Sequence, residues 1–273
     1  MSFRKNKILK IAAIIIISLS ISLGGFYFFW LSPRYTVSIL TYHYFGYESV
    51  IEGKHVPLLF ITPDNFEKQM RYLKEKDYRV ISLDALVEGL KNGRRFPHNT
   101  VVITIDDGHK SIFTYAYPSL KKYGFPATVF LISDYIGVKP YFLNWDEAKE
   151  MSKNNISFGG HTRNHVYLSS IKNNKDALWY EIAGCKKVIE DHLGIPIYYF
   201  CYPGGGFNEE IEMLVKKAGY KGACATNRGY DILDKNDLYE LNRISIRNRD
   251  ISFSLWAKVS GYYNLFRTRK SRD

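Results

Sequence analysis

The sequence predicts an α/β fold: a parallel sheet wound with helices into a barrel, preceded by one N-terminal transmembrane helix. Three observations predict it. Between Tyr35 and Tyr263, seven or eight short β-type runs alternate with helical segments, the order that builds βαβ units. Thr100–Ile105 (TVVITI) is an unbroken apolar run, as expected of a strand buried on both faces. No Gly-rich nucleotide turn follows the first strand, which favours a barrel over an open doubly wound sheet.

The elements follow in order. Ile8–Leu31 is apolar except for Lys10, and Ile11–Leu31 has 21 residues without a charge, enough for a hydrocarbon core of ~30 Å. Arg4, Lys5, Lys7 and Lys10 place the N-terminus in the cytoplasm by the positive-inside bias, and FYFFW at 26–30 reads as an interfacial aromatic belt. The alternative is a cleaved signal peptide with small residues at Ser20, Ser22 and Gly24. The run exceeds the ~7–15 residues of a signal h-region, so an anchor is favoured. Either way the remainder lies outside the cytoplasm. Residues 1–34 are read as basic end plus anchor, 35–263 as one α/β domain, and 264–273 as a basic tail.

Within the domain, Thr36–Tyr42 reads as a strand. Thr62-Pro63 opens a helix striped by Phe66, Met70 and Leu73. Arg79–Ser82 is a short strand, Leu83–Lys91 a helix and Thr100–Ile105 a strand. Lys110–Tyr123 reads as a helix ended by Gly124, and Ala127–Ile132 as a strand. Asn144 and Glu147 form a capping box for Trp145–Asn154. Ile156–Gly160 is a strand, Asp176–Leu193 a helix, Ile197–Tyr202 a strand and Glu209–Ala218 a helix. Gly222–Thr226 and Leu241–Ile246 are late strands, and Ser252–Val259 is the last helix.

Composition narrows the class. With 273 residues, 46% hydrophobic and 24% charged, the chain is too apolar for disorder. Of the +11 net charge, seven units sit in residues 1–10 and 261–273, so the body is only mildly basic. That argues against nucleic acid as a partner, which would concentrate charge on the folded module. Cys185, Cys201 and Cys224 are too few for a disulfide scaffold and match no zinc motif, so they are read as buried thiols.

In a parallel α/β barrel, functional groups gather at the C-terminal strand ends. Reading those ends gives Tyr42-His43-Tyr44, Asp106-Asp107-Gly108, His161 with His165, Pro203-Gly204-Gly205-Gly206, and Arg243. Two adjacent carboxylates after an apolar strand repel each other and are partly desolvated, which usually calls for a cation. The plain alternative is a surface turn. His161 and His165 would share a face on a helical turn and could grip one metal. One carboxylate and two imidazoles make the usual shell of a catalytic zinc site, and a second carboxylate could take a proton from water.

Residues 104–108 (TIDDG), 161–165 (HTRNH) and 201–205 (CYPGG), in this order, resemble the first three motifs of the polysaccharide deacetylases, carbohydrate esterase family four. TYHYFG, ITPDNFEKQMRYLKEKDYRVISLDAL and KKYGFPATVFL resemble the subgroup that includes exopolysaccharide deacetylases. The resemblance spans most of the exported chain. It implies an irregular, incomplete (β/α) barrel and a divalent metal of the Zn²⁺ type. It also implies removal of acetyl groups from an N-acetylated polysaccharide. By position, Asp106 matches the general base, and Asp107, His161 and His165 match the metal ligands. The backbone N–H of Tyr202 is assigned as the oxyanion donor.

The chain departs from the family pattern at three places. Cys201 stands where an Arg usually pairs with the base, and Gly204 where an aromatic usually follows the proline. Leu241-Asn242-Arg243 stands where a Leu-x-His usually supplies the general acid. Arg243 is therefore read as the partner of the base and His43 as the acid. A buried structural histidine and a structural salt bridge are the respective alternatives. Trp145, Tyr141 and Phe142 are candidates for stacking on sugar rings, although Trp145 is also a first-turn helix residue. The subgroup favours a β-linked N-acetylglucosamine exopolymer as substrate. Peptidoglycan, or glycan binding without turnover, is the alternative.

Overall fold

The computed structural model describes residues 2–27, 36–48, 50–51, 54–225 and 238–263. The chain divides into two compact units, residues 1–35 and 36–273. The first contains helix α1, Ser2–Phe26. Its stretch Asn6–Phe26 has 21 residues, and none of its apolar window is buried. At a rise of ~1.5 Å per residue it spans about 30 Å. It is long and apolar enough to cross a membrane, and a signal sequence would have the same character. The belt residues 28–30 and the tail at 264–273 lie outside the described residues.

The second unit is built on eight parallel strands: β1 Ser38–Tyr42, β2 Arg79–Ile81, β3 Thr100–Ile105, β4 Ala127–Leu131, β5 Ile156–Gly160, β6 Tyr199–Cys201, β7 Gly222–Cys224 and β8 Ile244–Ser245. Their order is β7-β6-β5-β4-β3-β1-β8. β2 pairs with the first half of β3 and β4 with the second half, on the edge of β3 away from β1. β1, β3 and β4 are buried along their whole length, as strands covered on both faces must be.

Helices α2 Pro63–Glu75, α3 Leu83–Lys91, α4 Tyr117–Tyr123, α5 Trp145–Ser152, α6 Lys175–Leu193, α7 Glu209–Lys217 and α8 Phe253–Val259 connect and cover the strands. Local chemistry explains their ends. Thr62, Ser82, Asn174 and Asn208 each accept a backbone N–H of the first turn. Asn144 and Glu147 complete a reciprocal capping box. Gly124 and Gly194 end α4 and α6 in the left-handed conformation. All three cysteines are free and buried.

Two elements differ from expectation. The helix expected over Lys110–Tyr123 enters through a π-turn, Ile112–Ala116. Pro118 has no N–H for the preceding turn, so the regular ladder does not extend back through it. The strand expected over Leu241–Ile246 is divided. Leu241 exchanges backbone hydrogen bonds with Ala223 and Ala225 beside β7, while Ile244–Ser245 pairs with β1. This short segment thus touches β7 at one end of the curled sheet and β1 near the other. Its hydrogen bonds are shared between two neighbours, so only two residues form regular ladder. The architecture is the irregular, incomplete barrel implied by the family resemblance.

Candidate active site

The site lies at the C-terminal ends of the strands. The Asp106 N–H still donates to Tyr42 O at 3.0 Å, so the ladder holds it in line with β3. Asp107 then turns left-handed, φ 71°, followed by Gly108, φ 76°. A Cβ on Gly108 would lie 2.7 Å from Leu131 and 2.9 Å from Ile136. The tight turn against this wall therefore requires glycine, and it presents both carboxylates inside the barrel, where both are buried.

The two aspartates have different surroundings. Asp106 Oδ1 and Oδ2 each accept a 2.7 Å hydrogen bond from the Arg243 guanidinium. Arg243 also donates to Ala225 O and Thr104 Oγ1, each at 3.2 Å, and lies 3.0 Å from Cys201 Sγ. Burial pushes the Asp106 carboxyl up, but Arg243, His161 and His43 together outweigh it and hold the group below the usual carboxylate range. Burial likewise disfavours the Arg243 cation, and Asp106 more than compensates. His43 Nε2 stands 3.7 Å from Asp106 Oδ2 at the end of β1.

Asp107 faces histidines. Its Oδ1 lies 3.5 Å from His161 Nε2 and 3.4 Å from His165 Nε2, and the three ligand atoms fall within 4.8 Å of one another. Its Oδ2 accepts a 2.5 Å hydrogen bond from Tyr44 OH. Burial raises the Asp107 carboxyl, and the surrounding imidazoles of His161, His43 and His165 outweigh that, so it is held well below the usual range. The His161 Nδ1–H donates to Cys201 O at 2.8 Å. A carbonyl can only accept, so Nδ1 carries the hydrogen and Nε2 is the nitrogen that faces Asp107, the one a cation would take.

This donor set fits a divalent cation. Asp107 Oδ1 is buried and has no hydrogen-bond partner among the described residues, an expensive arrangement without a cation to face. Ligands ~2.0–2.2 Å from a tetrahedral centre lie roughly 3.3–3.6 Å apart, which matches the 3.5 and 3.4 Å separations of Asp107 Oδ1 from His161 and His165. Asp106, His161 and Cys201 form a second possible cluster. There Asp106 is already committed to Arg243, and burial pushes the Cys201 thiol up, so the Asp107 set is the better cation cage.

Several expectations are corrected. The HTRNH segment is not a helical turn. Thr162 and His165 are both left-handed, φ 60° and 57°, and the two imidazoles converge because the loop doubles back. The Tyr202 N–H donates to Cys224 O at 3.1 Å in the β6–β7 ladder, and its ring stacks on Phe207 at 4.4 Å. That N–H is already spent in the sheet, which removes it as an oxyanion donor. Trp145 stacks on His192, with centroids 4.2 Å apart, and Phe142 is buried against His109 and Tyr135. Phe142 therefore presents no face for sugar, Trp145 has one face taken by His192, and Tyr141 is exposed.

Sequence reasoning missed three contributors. Tyr44 was visible only as part of the polar strand end Tyr42-His43-Tyr44. Cys201 was read as a departure from the motif, yet its carbonyl orients His161. Glu181, in the middle of α6, accepts from the backbone N–H groups of Arg163 and Asn164 between the two histidines and had no local signal.

A curled parallel sheet with paired aspartates and histidines at its C-terminal ends defines a class of hydrolytic, cation-capable barrels. The polysaccharide deacetylase family profile matches residues 93–223. YxkH of Bacillus subtilis (strain 168), a protein named for the same family, is 30% identical over 200 residues, covering 73% of this chain and 69% of its own. The chain belongs to the polysaccharide deacetylase family. The poly-beta-1,6-N-acetyl-D-glucosamine N-deacetylase of Staphylococcus aureus (strain MRSA252) is 29% identical over 200 residues, 68% of each chain. Among solved structures, Streptococcus pyogenes deacetylase PplD in complex with acetate superposes with a TM-score of 0.74 at 28% identity. That match covers 82% of this chain and 97% of the other.

Proposed function

We propose that this deacetylase removes N-acetyl groups from N-acetylglucosamine units of a poly-β-1,6-linked exopolysaccharide. Asp107, His161 and His165 hold the divalent cation, and Zn²⁺ suits two imidazoles and one carboxylate. The bound cation supplies Lewis acidity toward the acetyl carbonyl. Asp106 takes a proton from the attacking water, and His43 delivers one to the departing amide nitrogen. The C–N bond breaks, leaving acetate and a free amine on the polymer. Pairing with Arg243 keeps Asp106 ionised near neutral pH, at some cost in basicity. Helix α1 anchors the chain in the cell membrane, with the basic N-terminus cytoplasmic and the catalytic unit outside.

The observation that carries this reading is the orphaned Asp107 Oδ1 facing two imidazoles beside an arginine-paired Asp106. The substrate rests on likeness to the Staphylococcus aureus enzyme. The test is acetate release from β-1,6-linked N-acetylglucosamine oligomers with and without added Zn²⁺, with Asp106→Asn as control. Zn²⁺-dependent release lost in the variant supports the reading. Release from peptidoglycan alone would move the substrate there, and binding without release would mark a non-catalytic glycan binder.

A further inference from the structure

We propose that Glu181, on α6, is the positioning residue that sets the metal-ligand loop, His161–His165, before any cation binds. This rests on the reading of Asp107, His161 and His165 as ligands. The loop's geometry is locally unfavourable. Thr162 and His165 both occupy the left-handed region, which non-glycine residues avoid because Cβ crowds the following carbonyl. This same conformation accompanies the 3.4 Å approach of His165 Nε2 to Asp107 Oδ1. Backbone of this kind persists only where its surroundings over-determine it.

The surroundings are identifiable. On one side, the N–H groups of Ser133 and Asp134 donate to the carbonyls of Thr162 and Arg163, at 3.2 and 3.1 Å. Within the loop, Val166 N–H donates to Thr162 Oγ1 at 3.2 Å. On the other side, the two central N–H groups converge on one carboxylate. Glu181 Oε2 accepts from Arg163 N at 2.9 Å and Asn164 N at 3.0 Å, and Oε1 accepts from Asn164 Nδ2 at 2.9 Å. Glu181 is only 6% exposed. Arg163 directs its Nε to Asp134, at 2.8 and 3.0 Å from the two oxygens, and its guanidinium lies over Tyr180. The Glu181 carboxylate is thus engaged by the loop backbone itself. A carboxylate shared by successive N–H groups is a strong, directional clamp, and outer groups of this kind tune metal affinity through ligand orientation.

The test is Zn²⁺ affinity, by chelator competition on the full chain, together with the visible absorption of the Co²⁺-loaded protein. Glu181→Ala is expected to bind Zn²⁺ about 10–100-fold more weakly and to change the Co²⁺ spectrum. Glu181→Gln keeps an oxygen for both backbone N–H groups and is expected to restore affinity to within about threefold of wild type. If the alanine variant does not fold, Glu181→Asp carries the same comparison, because it keeps the charge but withdraws it by one methylene. A folded Ala or Asp variant that binds Zn²⁺ like wild type, with an unchanged spectrum, overturns the clamp. His165→Ala separates the two readings. If wild type binds no tighter than His165→Ala, the ligand assignment fails and the clamp falls with it. If His165→Ala is weak and Glu181→Ala tight, the clamp alone fails.

Discussion

Arg243 and Asp106, 137 residues apart in the chain, form a buried pair with two parallel 2.7 Å hydrogen bonds. The arginine rides on the segment that touches both β7 and β1, so sheet closure and the charge state of Asp106 share one side chain. Removing one member of such a pair leaves the other charge buried and unmatched. Arg243→Gln is therefore expected to lower unfolding free energy by about 3–5 kcal/mol. Adding Asp106→Asn should recover part of that loss. Urea unfolding of the two single variants and the double variant checks this, and strict additivity would refute the coupling.

His43 stands at the end of β1 with its Nε2 3.7 Å from Asp106 Oδ2. As the acid for the leaving nitrogen, its replacement by Gln should lower kcat about 10²–10⁴-fold and remove the alkaline limb of the kcat profile. Zn²⁺ affinity should stay near wild type, since His43 is not among the proposed ligands. An unchanged alkaline limb would eliminate His43 as the acid.

Tyr44 OH donates to Asp107 Oδ2 at 2.5 Å, leaving Oδ1 for the cation. Tyr44→Phe keeps the ring, which packs edge-on against His109, and deletes only the donor. Zn²⁺ affinity should fall about tenfold with little change in melting temperature. Equal loss of stability and affinity would mean that the tyrosine serves packing instead.

Glu67 joins α2 to α4 by accepting from Ser119 Oγ at 2.7 Å, Lys122 Nζ at 2.5 Å and Tyr123 OH at 2.7 Å. Burial raises its carboxyl, and these donors outweigh that and hold it below its ordinary value. A depressed folded-state pKa stabilises the protein above the unfolded value of ~4.3, and this contribution disappears as pH falls through the lower folded value. Glu67→Gln should cost up to about 1 kcal/mol at pH 7 and less near pH 3. Urea unfolding at the two pH values checks it; an equal difference at both would contradict the electrostatic origin.

Much of the local structure was legible from residue order. Leu83–Lys91, Thr100–Ile105 and Ile156–Gly160 have the bounds that patterning and punctuation suggest, and the Asn144–Glu147 capping box forms as its spacing implies. These features depend on neighbours within a few residues, where periodic burial and caps act. The division of Leu241–Ile246 between two partner strands was not legible, because it depends on where the sheet curls. The backbone of HTRNH was not legible either. Its spacing suits a helix, yet its backbone takes another shape, with hydrogen bonds donated by Ser133 and Asp134 and accepted by Glu181.

The sequence by itself determined the βα alternation, the apolar N-terminal helix and the residue types that carry the chemistry. Hydrophobic period, caps and acid–imidazole composition are written in short stretches of chain. Only the tertiary structure decided which partner each group has. It paired Arg243 with Asp106, brought Tyr44 to Asp107 and Glu181 to the histidine loop, and engaged the Tyr202 N–H in a strand ladder. Hydrogen bonds and ion pairs act over a few ångströms of space, and residues such as Arg243 and Asp106, 137 positions apart, come within that reach only when the sheet curls and its edges are joined.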